Sequence, residues 1–303
     1  MATMAGGCYP DCMTVSDNMR GALLMMGSMA CFTLGDTCVK ALGAELPLAQ
    51  IIVLRGLVAA TFIGLLARAL GQLTFRLPRR DLGLIGLRCL AEVGATFFFL
   101  TALIHMPLAN VTALLQMLPL TVTLGGALVF GEQVGWRRWL AIGIGFGGML
   151  MIVRPGTEGF DVWSIYALIA VLCVTVRDLA VRRLSKAVPS LTVTFTAAVS
   201  VLLFGAVWSA TGSDWQPLDT SLLLILLLAS TCIVGGYSFS VMTMRVGEVS
   251  FVAPFRYTGL IFALVLGWLV FGDWPIPLTL LGATLIVGTG LFTLWREAQV
   301  RRA

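Results

Sequence analysis

Ionisable residues interrupt the apolar stretches of this chain at a few places, among them Asp36, Arg55, Arg88, Glu92, Asp178 and Arg256. An ionised side chain at the centre of a bilayer costs about 2.5–3.5 kcal/mol on insertion scales, so each of these groups asks for a partner or a task. Glu92 lies near the middle of its apolar stretch with Arg88 four residues before it, which sets both on one face of a helix. Two readings fit: a structural ion pair, or a site that binds substrate or exchanges a coupling proton. Arg256 stands beside Tyr257 and two residues after Pro254. Proline removes a backbone hydrogen bond from a helix, and the freed carbonyl is tolerated in a membrane where it faces protein or a wet cavity. Pro119 marks a similar place earlier in the chain, close to Gln116. Arg55 is expected to pair with Asp36, while Asp36 and Asp178, both near the ends of apolar stretches, suit structural or gating positions. Phe98 and Tyr237 supply aromatic surface near these groups. The residue types of a nucleophile triad, a metal cluster or a phosphate loop do not occur at the necessary spacings, so no catalytic residue, metal or cofactor is expected.

The elements that carry these groups follow from composition. Of 303 residues 58% are hydrophobic and 12% charged, and the mean hydropathy is +0.96, whereas a soluble domain is about 25% charged. Apolar runs long enough to cross a hydrocarbon core of about 30 Å as helices recur along the chain. They cover roughly 21–40, 47–67, 82–104, 107–130, 137–153, 162–181, 190–210, 221–243, 249–271 and 277–295. With the N-terminus in the cytoplasm, fourteen of the twenty Lys and Arg residues fall in inside loops, and Lys40 and Arg154 alone fall outside. That asymmetry accounts for the net charge of +5 as a topology signal. It predicts an even number of spans with both termini inside, and no nucleic-acid partner is needed. Cys31, Cys38, Cys89, Cys173 and Cys232 lie inside apolar runs and read as small buried hydrophobes.

The chain also repeats itself. Asp36, Lys40 and Pro47 match Asp178, Arg182 and Pro189 at an offset of 142, and Val129-Phe130-Gly131-Glu132 matches Val270-Phe271-Gly272-Asp273 at 141. Gly126, Leu140 and Gly147 match Gly267, Leu281 and Gly288 at the same 141, and Gln116 falls opposite Tyr257. Each copy holds five spans, an odd number, so the second copy enters the membrane from the opposite side. Inverted repeats of this kind suit a site exposed alternately to the two faces. Gly143 and Gly147 form a GxxxG that brings helices close within one chain or, in a homodimer, between two.

With Pro119, the Phe-Gly-Glu at 130–132, the glycine-rich run ending at Gly147 and Gly148, and their counterparts Pro254, Phe271-Gly272-Asp273, Gly282 and Gly288, the chain resembles the drug/metabolite transporter superfamily, in particular its ten-helix EamA-type members. Ala141, where a glycine is usual, and Asp273, where a glutamate is usual, are departures that keep size or charge. The resemblance implies an all-α integral membrane protein of ten transmembrane helices as two inverted five-helix repeats. Its parts are a cytoplasmic leader at 1–20, a first repeat at 21–153, a periplasmic linker at 154–161, a second repeat at 162–295 and a cytoplasmic tail at 296–303. It implies a secondary transporter of a small metabolite in a bacterial cytoplasmic membrane, working by alternating access; the placement of the polar and aromatic residues puts Glu92, Gln116, Tyr237, Arg256, Tyr257 and Phe98 around the cargo. The aromatic complement favours a planar cargo such as riboflavin or an aromatic amino acid; S-adenosylmethionine, other amino acids and drugs are the alternatives. An intramembrane lipid-modifying enzyme is the reading of a different class, and it would need catalytic groups clustered at one membrane face.

Overall fold

The computed structural model of the chain describes residues 15–74, 79–132, 135–155, 161–185, 188–212, 214–246 and 249–302. Arg76, Lys186 and the leader through residue 14 lie outside the described residues. The described residues form α1 (Val15–Leu42), α2 (Leu48–Ala69), α3 (Arg79–His105), α4 (Leu108–Leu115), α5 (Leu118–Phe130), α6 (Trp136–Val153), α7 (Trp163–Arg183), α8 (Ser190–Ala210), α9 (Thr220–Val246), α10 (Val249–Val252), a 3₁₀ turn (Ala253–Tyr257), α11 (Thr258–Phe271) and α12 (Pro277–Arg302). In hydrocarbon every backbone N–H and C=O must be paired within its own segment, which is why runs this apolar are helices. Pro47, Pro107 and Pro189 immediately precede α2, α4 and α8, where a fixed φ starts a helix and a missing N–H costs nothing. Asp219 caps α9, its carboxylate accepting the Leu222 N–H at 2.7 Å and the Ser221 hydroxyl at 2.9 Å. These bonds hold its carboxyl below the usual carboxylate range, so the cap is present at neutral pH and is lost on acidification through that lowered value.

Among the described residues nine segments are long and apolar enough to cross a membrane, with α4 and α5 sharing one and the 3₁₀ turn and α11 another. The tenth crossing is α6, 18 residues long, or about 27 Å at 1.5 Å per residue. Its apolarity is diluted by Arg137 and Arg138 in the first turn.

The packing obeys the repeat. Helix α1 lies along α9, and its counterpart α7 lies along α3, the counterpart of α9; α2 packs on α8 and α6 on α12, each pair exchanging with itself when the halves are swapped. The cysteines follow the same rule. A Cβ built on Gly94 would stand 3.1 Å from Cys173 Sγ, and one built on Gly235 would stand 3.3 Å from Cys31 Sγ. These are matching contacts at the 141 and 142 offsets, in which a thiol fills the space that a glycine leaves.

The shared Phe-Gly-acid motif is a helix C-cap. Gly131 and Gly272 adopt φ of 67° and 71°, a conformation glycine reaches without steric cost. The N–H of Glu132 bonds the Gly126 carbonyl at 3.3 Å and that of Asp273 bonds the Gly267 carbonyl at 3.1 Å, closing α5 and α11 in the same way. The GxxxG of Gly143 and Gly147 faces open space, and α6 meets α12 instead through Gly145 and Gly148.

Candidate functional site

The helix breaks come first, because they set what lies at mid-membrane. α4 ends at Leu115 and α5 begins at Leu118, with Pro119 in its first turn. In the second half the 3₁₀ turn Ala253–Tyr257 gives way to α11 at Thr258. The breaks are repeat-equivalent to within one residue, yet Pro254 stands six residues too early to be the counterpart of Pro119. One proline follows its break and the other precedes it. Between the breaks runs α1, whose Met29, Phe32, Thr33 and Asp36 share one face by their three- and four-residue spacing. Thr33 Oγ1 donates to the Met29 carbonyl at 2.8 Å and reaches the Gly259 carbonyl at 3.5 Å. Gln116 Nε2 and Met29 both border Gly259.

Farther along that face of α1 the ionisable groups gather. Glu92 of α3 joins two guanidinium groups, Arg88 at 3.7 Å on its own helix and Arg177 of α7 at 3.4 Å. Arg177 Nε also donates to Asp178 Oδ1 at 2.9 Å, and Arg88 Nη1 donates to the Val193 carbonyl of α8 at 3.1 Å. The charges of Glu92, Arg177, Arg55 and Arg88 all act on the Tyr237 hydroxyl. Tyr237 keeps 38% of its surface accessible. Phe32 meets it edge-on at 5.4 Å.

The expected ion pair between Asp36 and Arg55 is not formed. Their charges act on one another, but among the described residues no carboxylate oxygen comes within 4.0 Å of the Arg55 guanidinium. Arg55 Nε is shielded from solvent and has no hydrogen-bond partner. Two opposite charges thus lie near one another without forming an ion pair.

Other expected site residues fall elsewhere. Tyr257 is buried and its hydroxyl presses against Gly290 of α12; Arg256 is exposed beside it. Phe98 packs against Tyr166 of α7 at 5.4 Å and against Phe97 at 5.1 Å. Sequence reasoning passed over Arg177. The signal was available, since at the 142 offset its counterpart is Gly35, and a fold that accepts glycine there has no structural need of a cation.

The two ends of the bundle carry matched contacts. At one face Arg182 Nη1 stands 3.7 Å from Glu132 Oε1 and the Arg183 guanidinium lies 4.3 Å over the Phe130 ring. At the other, Lys40 lies 5.3 Å over Phe271, feels the charge of Asp273 and donates to the Met106 carbonyl at 2.6 Å and the Leu103 carbonyl at 3.2 Å. Lys40 and Arg182, Phe271 and Phe130, and Asp273 and Glu132 are repeat counterparts. Each contact links the end of the first helix in one half to the motif of the other half. The ion pair is closed at the Glu132 face and open beyond 4.0 Å at the Asp273 face.

Comparison with known proteins agrees with this architecture. The model of the EamA-like transporter family matches residues 19–154 and again 161–295. The chain is 27% identical to the pseudopaline exporter CntI of Pseudomonas aeruginosa (strain UCBPP-PA14), over 88% of this chain and 93% of that protein. It is 28% identical to the riboflavin transporter of Vibrio cholerae serotype O1, over 70% of this chain and 72% of that one. With the S-adenosylmethionine uptake transporter of Rickettsia prowazekii (strain Madrid E) it shares 22% identity, over 64% of this chain and 65% of the relative. A solved crystal structure superposes with a TM-score of 0.64 at 17% identity, covering 95% of this chain and 99% of the other, and so shares the fold.

Proposed function

Because this chain belongs to the EamA-like transporter family, we propose that it is a secondary transporter carrying a small metabolite by alternating access, with the cargo bound in a cleft among Asp36, Arg55, Glu92, Arg177 and Tyr237. The observation that carries this reading is the separated pair of Asp36 and Arg55. Opposite charges held apart inside a bilayer are costly unless something bridges them. A cargo with a carboxylate for Arg55 and an ammonium for Asp36 does so, while Phe32 and Tyr237 offer ring edges to a flat group. An aromatic amino acid combines all three features. Riboflavin uses the rings but leaves Arg55 without a partner, and S-adenosylmethionine, with its amino acid moiety, uses the charges. The named relatives point to transport rather than to lipid-modifying chemistry.

In this reading the Glu132–Arg182 and Asp273–Lys40 contacts are alternating gates at opposite faces. An exposed ion pair is worth about 0–1 kcal/mol, small enough to leave the two states close in energy. Proteoliposomes loaded with labelled tryptophan, phenylalanine, riboflavin or S-adenosylmethionine, with and without a pH gradient, test the proposal. Movement of at least one is expected. Arg55→Gln should raise the KM for a carboxylate-bearing cargo by about tenfold or more, the size of a charged hydrogen bond. Wild-type protein that moves none of the panel, or an unchanged KM in the variant, would refute the assignment.

The protein is further proposed to lie in a bacterial cytoplasmic membrane with both termini in the cytoplasm, on the strength of the charge asymmetry of the loops. Reporter fusions at residues 1 and 303 should both read cytoplasmic; a periplasmic signal at either end overturns that topology.

A further inference from the structure

We propose that the outer face of α3, α7 and α8 holds an anionic phospholipid, with its phosphate between Arg80 and Arg183 and one acyl chain along an apolar groove. A cavity of about 360 Å³ at the membrane end of α3 is lined by Arg80, Gly83, Leu84 and Arg183. About one turn farther along α3, a groove of about 700 Å³ opens between Leu87 and Leu90 of α3, Leu172 of α7 and Val207 of α8. From Leu84 to Phe97 the α3 face runs for about 20 Å at 1.5 Å per residue, deeper than the roughly 15 Å of hydrocarbon in one leaflet. The groove ends on a ring cluster in which Phe97 meets Trp208 at 5.3 Å and Phe204 at 6.1 Å.

The basic end is built rather than accidental. Asp81 is 3% exposed and accepts the Ser185 hydroxyl at 2.7 Å and its N–H at 3.3 Å. That clamp ties the start of α3 to the end of α7 and leaves Arg80 and Arg183 flanking the cavity, with the acid between them turned into the protein. Arg183 is also held by its stack on Phe130. A Cβ built on Gly83 meets nothing within 4 Å, so glycine keeps the headgroup cavity open without packing against anything. Two cations at the interface above an apolar trough match a negatively charged headgroup with a tail, and a zwitterionic lipid does not answer the net positive charge. The inference rests on the membrane-spanning fold and not on the cargo.

Native mass spectrometry of the full chain in detergent, titrated with phosphatidylglycerol or phosphatidylcholine of equal chain length, tests it. Phosphatidylglycerol should bind more tightly, with affinity falling about fivefold for Arg80→Gln and about fivefold again when Arg183→Gln is added, the contribution of one basic residue near a membrane surface. Gly83→Leu should fill the cavity and abolish the preference while the thermal midpoint stays at the wild-type value, because the site is open and leucine favours helix. Equal binding of the two lipids by the wild type overturns the proposal. Phosphatidylglycerol binding that all three variants leave unchanged does so as well, because it places the lipid elsewhere.

Discussion

Gly148→Leu and Gly282→Val should each destabilise the protein severely, while Gly147→Leu, one residue away, should leave it folded. A Cβ on Gly148 would stand 2.7 Å from the Gly282 carbonyl oxygen and 3.1 Å from Leu285 Cβ, and a Cβ on Gly282 would stand 2.5 Å from the Gly148 carbonyl oxygen. The contact is reciprocal and backbone to backbone, so no side chain can rotate away and α6 and α12 must separate. These are the last helices of the two halves, and their crossing buries Ile152, Ala283 and Ile286 in a shared core with Leu114 and Met117 near the first helix break. Overpacking of this kind costs about 1–3 kcal/mol and more where backbone must shift. Without a hydrophobic drive between helices in lipid, close packing is much of what holds them together. A Cβ on Gly147 meets nothing within 4 Å, so its substitution should change stability by less than about 0.5 kcal/mol. Thermal midpoints in detergent read the difference directly. If Gly148→Leu melts with the wild type, the close crossing does not exist.

The second large effect is expected at Glu92. Its carboxylate serves two arginines on different helices, and with Arg55, Asp36 and Asp178 the group holds three cations against three anions. Glu92→Gln conserves shape but leaves the cluster with an unbalanced positive charge inside the bilayer. Glu92, Arg88 and Arg177 keep 17%, 12% and 26% of their side chains accessible, so the loss should approach the roughly 3 kcal/mol of a broken buried pair. Adding Arg177→Gln restores the balance, and the double variant should recover part of that loss, the signature of a direct interaction in a double-mutant cycle. Transport separates this structural share from proton exchange. If Glu92 carries the coupling proton, the residual Glu92→Gln protein in liposomes equilibrates cargo but no longer responds to a pH gradient. A destabilised variant whose remaining transport still follows the gradient would end the coupling role, and an unchanged midpoint would end the ion-pair role.

Helix number, order and approximate ends, the two halves and their offset were all readable from the chain alone, because they depend on local quantities. A run is apolar for long enough to span hydrocarbon or it is not, and a duplicated block keeps its spacing. The breaks after Leu115 and before Thr258 were legible through nearby prolines, though Pro119 and Pro254 do not correspond residue by residue. The pairing of Arg88 with Glu92 was legible because both lie on one helix, four residues apart. What a helix turns towards its neighbours was not. In water a helix shows its buried side by alternating apolar and polar residues, but in lipid both sides are apolar and that signal vanishes. Only the tertiary structure could send Tyr257 into α12, Phe98 onto Tyr166 and Tyr237 onto Phe32, bring Arg177 to Glu92, and hold Arg55 apart from Asp36. Those placements depend on how whole helices are rotated and tilted against one another. That rotation is set by glycines, cysteines and rings meeting across the two halves, far apart in the chain.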